Sequence, residues 1–290
     1  MFGALSKSLT AKVAVQIFIL MSVPFVCMTV VSSRYMIDAL AEKAAADLIM
    51  IKGMKKAALI DTIRSIGNQV NWFVKDGGMS GSFNDLNDFR KAEKGGNIDD
   101  SGFKSPEYAD LHKKLNNRFG DFVTMFGYTD VLLISADSGQ VLYSYTDGRE
   151  LGTNLESGPY RDSPLAKLWK KVASKRLVMF QDCAKYQPDE SVAMFVGGPI
   201  TDDKGAVLGV AAFRINLRRF NEVSLNQNIG ITGETILVGE DMLMRSDSRF
   251  EKESAIMNRK VETDATNRMF KPEGVADKSE TMVMNDYRGV

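Results

Sequence analysis

Histidine is nearly absent: 290 residues contain one, His112, and only two cysteines, Cys27 and Cys183. A single imidazole removes most zinc sites and most Ser-His-Asp or Cys-His catalysis. Two thiols so far apart, one inside an apolar run, make no disulfide framework. Excess charge is lacking too. Lys plus Arg equals Asp plus Glu at 37 each, which argues against a basic face for nucleic acid and an acidic tail for a basic partner. No Lys follows the glycines of Gly230-Ile-Thr-Gly-Glu-Thr, so it is no P-loop, and there is neither a Gly-x-Ser-x-Gly elbow nor a Cys-x-x-Cys pair. No catalytic residue, metal ligand set or cofactor is expected. The composition leans away from an enzyme.

Charge disappears altogether from Val13 to Ser33, VAVQIFILMSVPFVCMTVVSS. At about 1.5 Å per residue this run spans roughly 30 Å, the thickness of a hydrocarbon core. Lys7 and Lys12 precede it and place a short N-terminus, residues 1–12, in the cytoplasm. Residues 13–33 then read as a transmembrane helix, with everything after Arg34 outside the cytoplasmic membrane. A cleaved leader ending near Val31-Ser32-Ser33 and a buried core helix are the competing readings; the run is long for the first and unpunctuated for the second. Pro24 sits mid-span, where membrane helices tolerate it.

Apolar residues then recur at Ile37, Ala41, Ala44, Leu48 and Ile51, and again at Leu59, Ile63, Ile66, Val70 and Phe73. This is a heptad-like seam on a long helix, with a one-residue phase break at Lys52-Gly53. It suits packing along the chain's own domain or a homodimer seam at the membrane, and different faces would serve both. Lys75–Ser82 breaks the helix, and an amphipathic piece follows over Phe83–Lys94. Pro106 opens a further helix to about Met125, on which His112 sits between charged neighbours and reads as a solvated residue.

At Tyr128 the period switches from 3.6 to 2. Strands are expected at Thr129–Ala136, Gln140–Tyr145, Leu177–Asp182, Val192–Ile200 and Ala206–Leu217. Ser163-Pro164 caps an intervening helix with Leu165, Leu168, Trp169 and Val172 inward. Asp202 and Asp203 fall in a polar hairpin and read as turn residues. The fold class is α+β: long helices, then an antiparallel sheet with one crossing helix. After a connecting helix at Arg218–Asn226, a second set begins with strands Glu234–Val238 and Met242–Arg245, a polar helical stretch, and strand Thr281–Asn285. The partner of that last strand would fall beyond Val290, so the second module reads as incomplete.

Three stretches carry a family resemblance: ELGTNLESGPY at Glu150–Tyr160, FGYTDVLLIS at Phe126–Ser135 and, most specifically, GITGETILVGEDMLMRSDSRF at Gly230–Phe250. They resemble the extracytoplasmic double-Cache sensor region of methyl-accepting chemotaxis proteins, a region also carried by transmembrane cyclases, histidine kinases and phosphatases. The resemblance implies PAS-like modules along a long helix. On that basis residues 34–126 form a helical stalk with N-terminal helices, 127–226 a membrane-distal Cache module, and 227–290 a truncated membrane-proximal one. It implies a ligand-sensing receptor of a bacterial inner membrane, with the sensor domain periplasmic or extracellular. Its output would be chemotaxis, with the other outputs or a docking role for a separate binding protein as alternatives. Arg214 stands where such proteins often carry a glutamine and Ile236 where they carry an aromatic. The spaced Tyr/Arg/Trp/Tyr/Asp pattern of amino-acid-binding members is not recognisable in order, so the ligand class does not carry over.

A pocket for a small polar metabolite needs apolar walls and a few convergent polar groups. Asp182 and Tyr186 lead the candidates, with Tyr143, Tyr145, Arg161, Trp169 and Arg214. An Arg fork among aromatics would suit an amino acid or carboxylate. The bland alternatives are a core Trp169, a solvated Arg161 beside Asp162, and an Arg214 on a wet sheet face.

Overall fold

The computed structural model describes residues 9–93, 96–99, 101–225, 231 and 233–270. It divides into two units, with the boundary between Met54 and Lys55. Helix α1 (Leu9–Val74) is continuous through both Pro24 and Gly53. An interior glycine costs a helix only about 1 kcal/mol, so the phase break in the seam is not a break in the helix.

In the first unit α1 covers nothing of itself. Phe18, Leu20, Phe25 and Met28 are exposed, as expected of side chains that face lipid. The first seam is also uncovered, with Ile37 and Leu48 exposed. The second seam behaves differently from Ile66 onward: Ile66, Val70 and Phe73 are buried in the core of the second unit, whereas Ile63 is exposed. The two halves of one heptad-like pattern therefore have different fates.

The second unit is built on an antiparallel sheet of β1 (Tyr128–Ser135), β2 (Val141–Ser144), β3 (Met179–Tyr186), β4 (Ser191–Thr201) and β5 (Val207–Ile215), in the order β2-β1-β5-β4-β3. Helices α2 (Met79–Ala92) and α3 (Pro106–Phe126) join the end of α1 on one face. Met79, Phe83, Leu115, Phe119 and Phe122 meet Val131, Leu133, Val196, Ala211 and Phe213 there. Helix α4 (Pro164–Lys175) covers the other face, where Leu165, Leu168, Trp169 and Val172 pack on Leu132, Ile134, Phe195, Val210 and Ala212. The alternation of β1 and β5 sorts residues between these two cores.

Local chemistry sets the boundaries. Ser105 accepts the Tyr108 N–H at 3.1 Å and Pro106 occupies the first turn of α3. Gly127, at φ 63°, ends that helix in the left-handed conformation that glycine tolerates best. Ser163 caps α4 in the same way, taking the Ala166 N–H at 3.1 Å. The β1–β2 turn needs Gly139, at φ 70°, and the Trp169 ring lies 2.9 Å from where a Cβ would stand. Asp202 accepts from Lys204 N (2.9 Å) and Ala206 N (2.8 Å), which is turn chemistry.

Several expectations need correction. The break after α1 is shorter than Lys75–Ser82, because α2 already begins at Met79. Strand β3 runs on to Tyr186; a bulge between Gln181 and Ala184 interrupts the alternation and disguises its second half. His112 is not solvated: its ring is 13 % exposed, with Nε2 2.9 Å from Ser144 O and 3.0 Å from Asp147 Oδ1. Glu234–Val238 and Met242–Arg245 do not form strands. Val238–Met244 and Leu243–Lys260 are isolated bridges, and Leu237 donates its N–H to Ser246 Oγ (2.9 Å), not to a ladder. Met244, Ala255 and Val261 form a small separate core with Ile236 and Val238. Helix α5 (Arg218–Leu225) leads out of the sheet, and α6 (Asp264–Phe270) is the last described element. The expected strand Thr281–Asn285 lies outside the described residues.

Candidate functional site

The face of the sheet under α4 is apolar except at one end, where Asp130, Ser144, Glu150, Tyr186 and Arg214 come close. Asp130 starts the inward set of β1. It accepts from Ser144 Oγ (2.9 Å), Thr146 Oγ (2.9 Å), Thr146 N (3.2 Å) and Val131 N (2.7 Å). Burial still outweighs those bonds and raises its carboxyl above the usual range. Asp130 is the hub of the β1–β2 end.

Glu150 is the second buried carboxylate. No cation among the described residues forms an ion pair with it, and burial, before any neighbour, raises its carboxyl. Tyr186 lies within its field. The Tyr186 ring is buried edge-on against Phe195 at 5.0 Å, and its hydroxyl is a buried polar atom with no hydrogen-bond partner of ordinary geometry among the described residues. Burial raises this phenol well above the ordinary tyrosine value, and the Glu150 charge adds to the effect. A buried carboxyl that only the Tyr186 hydroxyl and the field of Arg214 relieve, with no ion pair among the described residues, is costly to a fold that gains nothing from it.

Arg214 crosses the Tyr186 ring at 5.2 Å. Its fork is already engaged: Nη1 donates to Asp189 Oδ2 at 2.7 Å and Nη2 to Ser191 Oγ. Burial works against the Asp189 carboxylate, but the bonds from Arg214 and Ser191 hold it below its usual range. Three carboxylates thus face one guanidinium. The local charge is negative: Arg214 pairs with Asp189, and neither Asp130 nor Glu150 has an ion-pair partner among the described residues.

The seven sequence candidates separate. Tyr186, Arg214 and Trp169 share the α4 face, although the Trp169 indole donates to Ser135 O (3.0 Å) within the core. Tyr143 is buried on the opposite face, donating to Asn116 Oδ1 at 2.6 Å, and Tyr145 packs against the same core. Arg161 is exposed beside Asp162, 3.6 Å away. Asp182 lies at the sheet edge, where Arg245 holds it. Sequence reading missed Asp130, Glu150 and Asp189. Asp130 had a signal, since an acid inside the apolar run YTDVLLIS must be buried or break the strand. Glu150 opens a loop without periodicity and gave none.

No protein-family model and no curated protein sequence matches the chain. Solved structures of similar arrangement are ligand-binding and sensor domains. The ligand-binding domain of the Campylobacter jejuni chemoreceptor Tlp3, in complex with 4-methylisoleucine, shares 10% identity over 71% of this chain and 69% of its own, with a TM-score of 0.49. The Vibrio cholerae histidine kinase DctB sensor domain shares 13% identity over 64% and 60%, with a TM-score of 0.42. The ligand-binding domain of the Pseudomonas aeruginosa PAO1 amino acid chemoreceptor PctC, in complex with GABA, shares 13% over 78% and 86%, with a TM-score of 0.37.

Proposed function

We propose that this chain is the sensor region of a membrane-anchored receptor, and that it binds a small molecule carrying an ammonium group on the α4 face of the sheet. The observation that carries the reading is the pairing of Glu150, a buried carboxylate with no ion-pair partner among the described residues, with Tyr186, a buried hydroxyl with no hydrogen-bond partner of ordinary geometry among them. A ligand ammonium supplies both missing interactions. Amino acids and amines fall in this class. A simple carboxylate does not, because Arg214 is held by Asp189. The absence of catalytic groups in the sequence supports a binding role.

Membrane attachment rests on α1, whose most apolar window has a mean hydropathy of 2.3 with no buried share. Its exposed first seam, Ile37 and Leu48 included, supports pairing of two copies along this helix. Chemotaxis as the output follows from the resemblance of the Gly230–Phe250 block.

The test is a thermal-shift screen of the full chain in neutral detergent with amines, amino acids and organic acids. Ligands that bind the native state raise the melting temperature by mass action. Shifts confined to ammonium compounds, and lost in Glu150→Gln, are expected. Shifts given only by organic acids, or unchanged in Glu150→Gln, overturn the reading.

A further inference from the structure

A separate cavity of about 370 Å³ opens on the other side of the sheet unit, between the end of α1, the start of α2 and the second half of α3. Its floor is aromatic. Phe73 touches Phe119 and Phe122 with ring centroids at 5.0 and 4.8 Å. Its walls are apolar yet exposed: Trp72 is 65% exposed and Met125 75%. Trp72 stacks on Phe122 at 6.0 Å and 10°. An indole so open to water loses the burial that would otherwise fix it there.

The rim carries charge of one net sign. Asp76 is ion-paired with Arg118, whereas Asp121 has no ion-pair partner among the described residues. Two carboxylates and one guanidinium leave one negative charge beside a set of ring faces. Ring faces and a carboxylate both attract a cation, most strongly one with an apolar shell that sheds water easily. The volume lies in the range of small-molecule sites.

We infer that this cleft is a second binding site, for a small aromatic or alkyl-substituted ammonium ion, with Trp72 and Phe122 as the aromatic wall and Asp121 as the counter-ion. It is independent of the Glu150 site. A two-fold contact between copies centred on the cleft is disfavoured by the same charge, because it would set the Asp121 carboxylates of both copies against each other.

Calorimetric titration of the full chain in neutral detergent with phenyltrimethylammonium, benzyl alcohol and benzoate tests this. The cation should bind one saturable site, about tenfold or more tighter than the alcohol, with no binding of benzoate. Asp121→Asn should weaken the cation about five- to tenfold and leave the alcohol unchanged. Trp72→Ala should abolish saturation; both side chains are exposed, so melting should be preserved. Glu150→Gln should leave the titration unaltered, which separates this site from the one under α4. Equal affinity for cation and alcohol, indifference to Asp121→Asn, or no saturable binding overturns the inference. So does light scattering in which Trp72→Ala turns a dimer into a monomer, which would assign the cleft to a second copy.

Discussion

Arg245 grips Asp182 from across the chain: Nε lies 3.1 Å from both carboxylate oxygens and Nη2 2.9 Å from Oδ2. The same guanidinium reaches Asp241 Oδ2 at 2.9 Å, and its Nη1 donates to Leu243 O at 3.0 Å. It therefore ties the loop-rich 233–262 segment to the bulged edge of β3. Asp182→Asn should lower the melting temperature by about 2–4 °C, the scale of a loss of about 1 kcal/mol for a half-exposed partner. Hydrogen exchange should quicken across 233–262 while β1 and β5 keep their protection. Arg245→Lys should behave similarly, because an ammonium cannot reproduce the fork.

The two buried tyrosines on opposite faces should respond differently to loss of the hydroxyl. Tyr143 donates to Asn116 Oδ1 at 2.6 Å, so Tyr143→Phe should cost about 1 kcal/mol. Tyr186 Oη has no partner of ordinary geometry among the described residues, so Tyr186→Phe should be neutral or slightly stabilising in the absence of ligand. Urea melts of the two variants measure the contrast directly. A larger loss for Tyr186→Phe would mean that its hydroxyl is engaged in the free protein.

Glu150 should make stability fall as pH rises. Its carboxyl lies above the ordinary 4.5 in the folded state, so the native protein binds the proton more tightly than the unfolded chain. That stabilisation is complete below about pH 4 and is lost as the pH climbs through the raised value. Glu150→Gln should therefore melt higher than the parent at pH 8, and the two should converge in acid. Calorimetric melts between pH 4 and 8 would show it.

Lys55 closes the C-terminal end of α5, donating from Nζ to Val223 O (2.5 Å) and Ser224 O (3.3 Å). A cation at this end also meets the negative pole of the helix. Lys55→Met keeps the apolar stem and removes the donor, and should cost about 1–2 kcal/mol. Amide exchange confined to α5 is the readout that separates this from a general loss of packing.

How far the fold could be read depended on pattern. Ser105-Pro106 and Ser163-Pro164 announce their helices because a side-chain cap and a proline act within one turn. The five strands are legible wherever alternation is intact. The pattern ends β3 at Asp182, short of Tyr186, because the bulge at Asp182-Cys183 shifts the phase. His112 reads as solvated because Asp110, Lys113 and Lys114 surround it in sequence, whereas its neighbours in space include Ser144 and Asp147. The site was legible only in part. Arg214 lies on a readable strand face and Tyr186 on one that the bulge disguises, while the loop bearing Glu150 returns to that face by packing no local signal records. Asp182, a leading candidate for ligand binding, is held instead by Arg245, a partner 63 residues away that no local pattern announces.

The strand order has a temporal meaning. Leu133 of β1 lies opposite Ala211 of β5, and the strand that follows β1 directly in the chain is its outer neighbour, β2. During synthesis the β1–β2 hairpin therefore forms with its inner edge bare. That edge stays open until the chain has grown from Ser144, the end of β2, to Ile215, the end of β5, a separation that slows closure of the sheet. Meanwhile a hydrophobic edge carrying Val131, Leu132, Leu133 and Ile134 is available to any passing strand. The vulnerable period for this protein is thus the interval before its central strand emerges, and holding chaperones should matter most there.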